Sequence, residues 1–140
     1  MSYLLDTNAV SEVMRAEPEP AVLEWLRQNE GDCFLSAVTV GEIERGIELL
    51  PEGQRKRSLR KAFLSFQEAV EGRVLALDLA VARRWAVLTA AFQKKGRRLP
   101  VLDSMIEATA LHWNLILVTR NAADFAEVRV LDPWRSSGSR

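Results

Sequence analysis

Leu115-Ile116-Leu117-Val118, bounded by Asn114 and Thr119, is the run on which the fold turns. Four consecutive apolar residues are too few for a helix. They show no polar alternation, so both faces of the segment must be covered, as in a buried strand of a parallel sheet. Working outward, four further short runs read as strands: Tyr3-Leu4-Leu5, Cys33-Phe34-Leu35, Val74-Leu75-Ala76-Leu77 and Val128-Arg129-Val130-Leu131. Between them the apolar spacing changes to helical. Pro20 suits a first helical position and precedes Val22, Trp25 and Leu26. Val40, Ile43, Ile47 and Leu50 mark a second helix, stopped by Pro51 and Gly53. Leu59, Ala62, Phe63, Phe66 and Val70 form the clearest stripe, ended by Gly72. Asp78 is an N-cap for a helix carrying Val81, Trp85, Leu88 and Phe92 up to Gly96, and a last long helix runs from Leu102 to His112. Strands alternating with helices predict an α/β fold: a central, mostly parallel five-stranded sheet with helices on both faces.

The chain has 140 residues, enough for one domain, expected over 1–134 with a disordered polar tail at 135–140. Lys plus Arg number 19 and so do Asp plus Glu. A neutral balance argues against indiscriminate binding of nucleic acid or membrane, but it leaves room for local patches. One cysteine, Cys33, and one histidine, His112, exclude a disulfide framework, a Cys-based zinc site and any histidine pair within the chain. No apolar run approaches the about 18–20 residues of a membrane span, so a soluble, cytoplasmic protein without a membrane partner is expected.

Ligands of open parallel sheets bind at the carboxyl ends of the strands, where strand order reverses. Four acids fall there: Asp6 after the first strand, Glu42 on the helix after the second, Asp103 opening the helix before Leu115–Val118, and Asp124 six residues beyond that strand. Each has a local alternative. Asp6 and Asp103 can cap helices, Thr39-x-x-Glu42 fits a capping box, and Asp124 can be a solvated loop acid. Together, however, four gathered carboxylates repel unless a cation neutralises them. Oxygen-only ligands select a hard ion, Mg²⁺ or Mn²⁺, and such a site suits hydrolysis at phosphorus.

Four segments in order, Leu4-Leu-Asp-Thr-Asn8, Ser36-Ala-Val-Thr-Val-Gly-Glu42, Leu102-Asp-Ser-Met-Ile-Glu-Ala-Thr-Ala110 and Leu117-Val-Thr-Arg-Asn-Ala-Ala-Asp-Phe125, resemble the PIN domain, most closely the VapC-type toxins of type II toxin–antitoxin modules, including the FitB-like branch. The resemblance implies a magnesium-dependent endoribonuclease. Asp6 and Asp103 match the most direct metal ligands and Glu42 the third acid. The fourth position falls at Asn121 or Asp124, and Asp124 keeps the charge. Asn8 and Thr119 match polar neighbours of the ligands. The resemblance further implies a homodimer and a VapB- or FitA-like antitoxin that wraps a helical groove, here beside residues 20–28, 39–50 and 55–71. An antitoxin arginine would enter the acidic pocket, and operator DNA would be bound only through the antitoxin. Glu107 departs from the small residues frequent in relatives; it either extends the acidic site or turns toward solvent or a basic neighbour.

Two basic clusters stand out. Arg55, Lys56, Arg57, Arg60 and Lys61 fit a solvated helix face; Lys94, Lys95, Arg97 and Arg98 flank Gly96 on the way to Asp103 and are the better candidates for RNA contact. His112 and Cys33 read as cap or packing residues, as do Trp25, Trp85 and Trp113, whereas Trp134 could close a sheet edge or a partner surface. A receiver-like or dehalogenase-like phosphotransfer site fits less well, because the first strand ends Asp6-Thr7-Asn8 rather than in paired acids or Asp-x-Asp. A non-catalytic PIN binding module or a non-toxin PIN nuclease are the nearer alternatives.

Overall fold

The computed structural model describes residues 1–125 and 127–136. Five strands, β1 (Tyr3–Leu5), β2 (Cys33–Ser36), β3 (Val74–Leu75), β4 (Ile116–Val118) and β5 (Val130–Leu131), form one sheet in the order β3-β2-β1-β4-β5. Every pairing is parallel. The chain builds outward from β1 to β3, then returns to the other side of β1, so strand order reverses between β1 and β4. Leu5 pairs with Val118 across that reversal, and the Asp6 amide donates to the Val118 carbonyl at 3.0 Å.

Side chains of successive strand residues point to opposite faces, and two cores result. Tyr3, Leu5, Ile116 and Val118 pack on one face with Leu26, Ile43, Ile47, Phe63 and Val70. These come from α2 (Pro20–Asn29), α3 (Ala37–Glu48) and α4 (Gln54–Ala69), with Val70 just beyond α4; Ala9 and Val10 of α1 (Thr7–Val13) join them. Leu4, Leu115 and Leu117 face the other way, against Ile106, Ala110 and Phe125. That second layer is α6 (Val101–Trp113), itself covered by α5 (Leu79–Lys94) through Val81, Leu88, Phe92 and Ala108. Alanines at 108 and 110, both fully buried, let α6 lie close to its neighbours.

Local signals set the helix ends. Asp78 caps α5 by accepting from the Val81 amide at 3.0 Å, and Pro20 stands at the start of α2. Gly72 and Gly96, with φ of +83° and +80°, turn the chain after α4 and α5. Several expectations are corrected. β3 and β5 are shorter than the apolar runs, because only residues 74–75 and 130–131 find a paired neighbour. α3 begins at Ala37 under the cap of Ser36, whose Oγ accepts from Val38 at 3.0 Å. Thr39 is therefore inside the helix and the Thr39/Glu42 capping box does not form. Asp103 sits at the third position of α6 rather than at its cap, and Asn114, in the left-handed region at φ 55°, closes that helix in place of His112. Trp113 is 49% exposed and lies outside the core, its ring edge-to-face with His112. Trp134 lies in α7 (Pro133–Ser136), where its indole N–H donates to buried Glu12 at 3.3 Å. Arg135 and Ser136 thus continue a helix instead of starting a tail, and 137–140 lie outside the described residues. Cys33 is buried in β2 as expected, and burial pushes its thiol up to about 12.

Candidate active site

Asp6 stands at the carboxyl end of β1 and begins α1. Its Oδ1 accepts from the Ala9 amide at 2.8 Å, so the capping reading is correct as far as it goes. A cap is usually exposed; this one is buried. Burial pushes its carboxyl from the ordinary 3.8 up to about 6, against the bonds from Thr119, Ala9 and the Asn8 amide, and the charge of Asp103 adds to the rise. Thr119, at the end of the neighbouring strand and fully buried, both bonds Asp6 and accepts from the Asn121 amide at 3.0 Å. Parallel pairing at the order reversal is what sets these two residues side by side.

Asp103 lies in the first turn of α6 and is exposed. Partial desolvation raises its proton affinity, and the charges of Glu42 and Asp124 raise it further. Asp6, Glu42 and Asp124 thus each act electrostatically on Asp103, which makes the four acids one negative group. Glu42 is oriented by Thr7, whose Oγ1 donates to Glu42 Oε1 at 2.5 Å and lies 3.2 Å from the Thr39 hydroxyl. Thr7 was not singled out from sequence, although its place between Asp6 and Asn8 was the available signal. Asn8 reaches the group through its backbone amide, with its side chain exposed. Asp124, in a short 3-10 turn at Ala122–Asp124, brings a carboxylate to the group, whereas Asn121 contributes a backbone amide.

Among the described residues no group of three or more His, Cys, Asp or Glu side chains stands arranged to hold a metal ion. The donor set is nonetheless all oxygen, with its charges uncompensated and Asp6 short of solvent. Such a set fits a hard divalent ion that takes one or two carboxylates directly and keeps several waters.

Glu107, one turn along α6 from Asp103, is 2% exposed. It does not turn to solvent, and among the described residues it has no basic partner: its Oε2 accepts from the Glu127 amide at 3.3 Å, and burial raises its proton affinity. Of the second basic cluster, Arg97 and Arg98 line a pocket of about 260 Å³ with Asp103, Glu107 and Asp124. Lys94 and Lys95 do not line it, and Lys95 and Arg97 lie over the Phe92 ring. The first cluster is largely spent on α3 and the α3–α4 turn. Buried Lys56 pairs with Glu52 at 2.7 Å, and Arg60 with Glu48 at 2.7 Å. A larger groove of about 910 Å³ runs between α1, α3 and α4, past Met14, Ile43, Ile47 and Leu59, and opens on Thr7 and Glu42. The helix at 20–29 does not line it.

The family model of the PIN domain matches residues 3–131. The chain is 35% identical over 135 residues to the VapC ribonuclease Y4jK of Sinorhizobium fredii, covering 94% of this chain and 96% of that protein. It is 36% identical over 135 residues to the toxin FitB of Neisseria gonorrhoeae, with 94% and 97% covered. The crystal structure of FitAcB from Neisseria gonorrhoeae superposes with a TM-score of 0.85 at 35% identity, covering 94% of this chain and 98% of that one. By sequence over nearly its whole length, and by fold, this chain belongs to the PIN-domain family.

Proposed function

We propose that this protein is the toxin of a type II toxin–antitoxin pair, an endoribonuclease that hydrolyses RNA phosphodiester bonds with Mg²⁺, or Mn²⁺ in its place. The observation that carries the reading is buried Asp6, held across the β1–β4 reversal by Thr119 and facing Asp103. Asp6 and Asp103 would hold the ion, with Glu42 and Asp124 reaching it directly or through water. When bound, the ion supplies Lewis-acid charge and acidifies a water for attack on phosphorus. The chain's own residues do the positioning. Thr119 and the Ala9 amide fix the Asp6 carboxylate, and Thr7 fixes Glu42 where it can orient the attacking water or take its proton. Arg97 and Arg98, exposed beside Asp103 and Asp124, offer positive charge to the RNA backbone.

The groove between α1, α3 and α4 suits the antitoxin. Its floor is apolar, and a chain lying along it arrives at Glu42, where a basic residue could take the place of the metal's charge. The toxin would act in the cytoplasm as a homodimer and meet operator DNA only through the antitoxin; among the described residues no helix is long and apolar enough to cross a membrane.

The test is cleavage of an RNA panel by purified, antitoxin-free protein, with and without EDTA, beside the Asp6→Asn variant. Cleavage lost under both conditions is expected. Cleavage that survives both would sink the metal-dependent reading, and no cleavage of any RNA would favour a binding module.

A further inference from the structure

We infer that Trp134 is a positioning residue for the metal-binding end: with Arg120 it clasps α1 to the chain leaving β4, and so keeps Asp6 and Thr119 side by side. The inference rests on the nuclease reading above and adds to it a role for the C-terminal segment.

Asp6 and Thr119 belong to short elements. β1 and β4 have three residues each, β5 has two, and α1, which Asp6 begins, has seven. A helix of that length does not hold its shape in water by itself, and a two-residue strand pair adds little. The core grips α1 through Ala9 and Val10. Its last turn is held by buried Glu12, whose carboxylate takes three donors. Two are local, the Arg15 guanidinium and the Glu19 amide. The third is the Trp134 indole N–H, 122 residues away in the chain, at 3.3 Å. Among the described residues it alone ties that carboxylate to a distant segment.

The same residue reaches the other side of the strand reversal. The Arg120 guanidinium lies over the Trp134 ring, 5.2 Å from its centroid, and among the described residues no carboxylate pairs with it. Arg120 directly follows Thr119, whose amide donates to the Leu131 carbonyl at 3.0 Å. Asp132 then caps the next turn, its Oδ1 accepting from the Trp134 amide at 2.9 Å, which fixes the backbone that carries the ring. The ring itself is half-buried against the core that α1 and α2 share. The segment from Leu131 to Trp134 thus touches both halves of the site: Thr119 and Arg120 on the β4 side, Glu12 on the α1 side.

Chemistry makes this clasp matter. The Thr119 hydroxyl and the Asp6 carboxylate bond each other from two separate segments. A small hard ion demands near-ideal geometry, and groups that serve one must be held to within about 0.5 Å. Strand pairing sets Asp6 and Thr119 at the same height, but the pairing ends there: the Asp6 amide donates to Val118, and beyond it α1 and the Arg120 loop diverge. Trp134 joins them again after they part.

Metal binding and amide exchange of the full-length, antitoxin-free protein test the assignment, at a temperature where each variant is folded. Trp134→Phe keeps a ring beneath Arg120 and drops the N–H; Trp134→Leu drops both. Mn²⁺ affinity by calorimetry should fall in that order, to roughly 2- to 30-fold below wild type, the range for a residue that acts through its neighbours. In the metal-free protein the amides of Asp6, Thr119 and Asn121 donate to Val118, Leu131 and the Thr119 hydroxyl. In Trp134→Leu these should exchange faster by NMR, while the amides of Leu35 and Leu115, bonded to Arg73 and Ala110, keep their rates. A role in general stability would quicken all of them alike. Should Trp134→Leu not fold, Arg120→Gln, at an exposed position, takes its place. Thr119 and Asn121 should again exchange faster, and Arg120→Lys, which keeps a cation over the ring, should restore them. Wild-type Mn²⁺ affinity in Trp134→Leu overturns the inference, as does exchange that is unchanged at Asp6, Thr119 and Asn121 or quickened equally at Leu35 and Leu115. If the wild type binds no Mn²⁺, the metal reading falls, and the exchange pattern by itself sustains or overturns the clasp.

Discussion

Asp6→Asn should make the metal-free protein more stable while disabling it. The folded protein raises this carboxyl from 3.8 to about 6 by burying it beside Asp103. Folding at neutral pH therefore works against the cost of an ionised, desolvated Asp6. The unfolded chain binds a proton at this residue only below about pH 4, whereas the folded one binds it below about 6. Stability must rise as pH falls through that window, because the folded state binds more protons there. At about 1.4 kcal/mol per tenfold in proton affinity, the cost at pH 7 is roughly 3 kcal/mol, about half of that at pH 5, and little at pH 4. Asparagine removes the charge and keeps the cap, since its Oδ1 can still accept from Ala9. Urea denaturation of both proteins in EDTA at pH 7, 5 and 4 measures the gap. The expected result is a variant more stable by about 2–3 kcal/mol at pH 7, converging with the wild type by pH 4. A variant that is destabilised, or whose gain does not change with pH, would refute the claim that Asp6 is held ionised against its environment. Saturating Mg²⁺ should erase much of the gap, because the ion stabilises only the protein that still has its carboxylate.

Three further changes probe the supports of the site and fold. Thr119→Val removes the hydroxyl that favours the charged form of Asp6; Mn²⁺ affinity at pH 7, measured by calorimetry, should fall roughly 10–100-fold, and unchanged affinity would deny Thr119 this role. Thr7→Val frees Glu42 from its 2.5 Å bond. RNA cleavage should drop by roughly tenfold or more with the far-ultraviolet spectrum intact, and full activity would show that Glu42 needs no such anchor. Glu12→Ala takes away the acceptor of the Glu19 amide and of the half-buried Trp134 indole and should cost about 1–3 kcal/mol in urea denaturation at pH 7. Burial works to raise the Glu12 carboxyl, but the Glu19 amide, Trp134 and Arg15 prevail and hold it below its ordinary 4.5. The stability it contributes is therefore complete above about 4.5 and fades as pH falls through the lowered value, so the gap between variant and wild type should narrow in acid.

The amino-acid pattern by itself determined the layers of this protein and the side on which its chemistry gathers. Apolar runs too short for helices, separated by helical stripes, require a parallel sheet covered on both faces. Asp6, Glu42, Asp103 and Asp124 each follow a strand or open a helix, so any such sheet collects them near one edge. These are properties of periodicity and order, legible within a dozen residues at a time. Tertiary structure decided what depends on partners far apart in the chain. The Leu5–Val118 register puts Thr119 beside Asp6 and turns an ordinary helix cap into a buried carboxylate. Thr7 and Glu42 meet across 35 residues, and Trp134 closes on Glu12 across 122. α3 starts as early as Ala37 because Ser36, still paired to β3, caps it. Lys56, on a helix face that reads as solvated, was drawn inside by Glu52 and the Glu48 carbonyl. Glu107 was ambiguous for the same reason. Spacing fixes the face of α6 on which it stands, but the depth of that face, and the open pocket beside it, exist only once α5, the sheet and the 122–125 turn have closed around it.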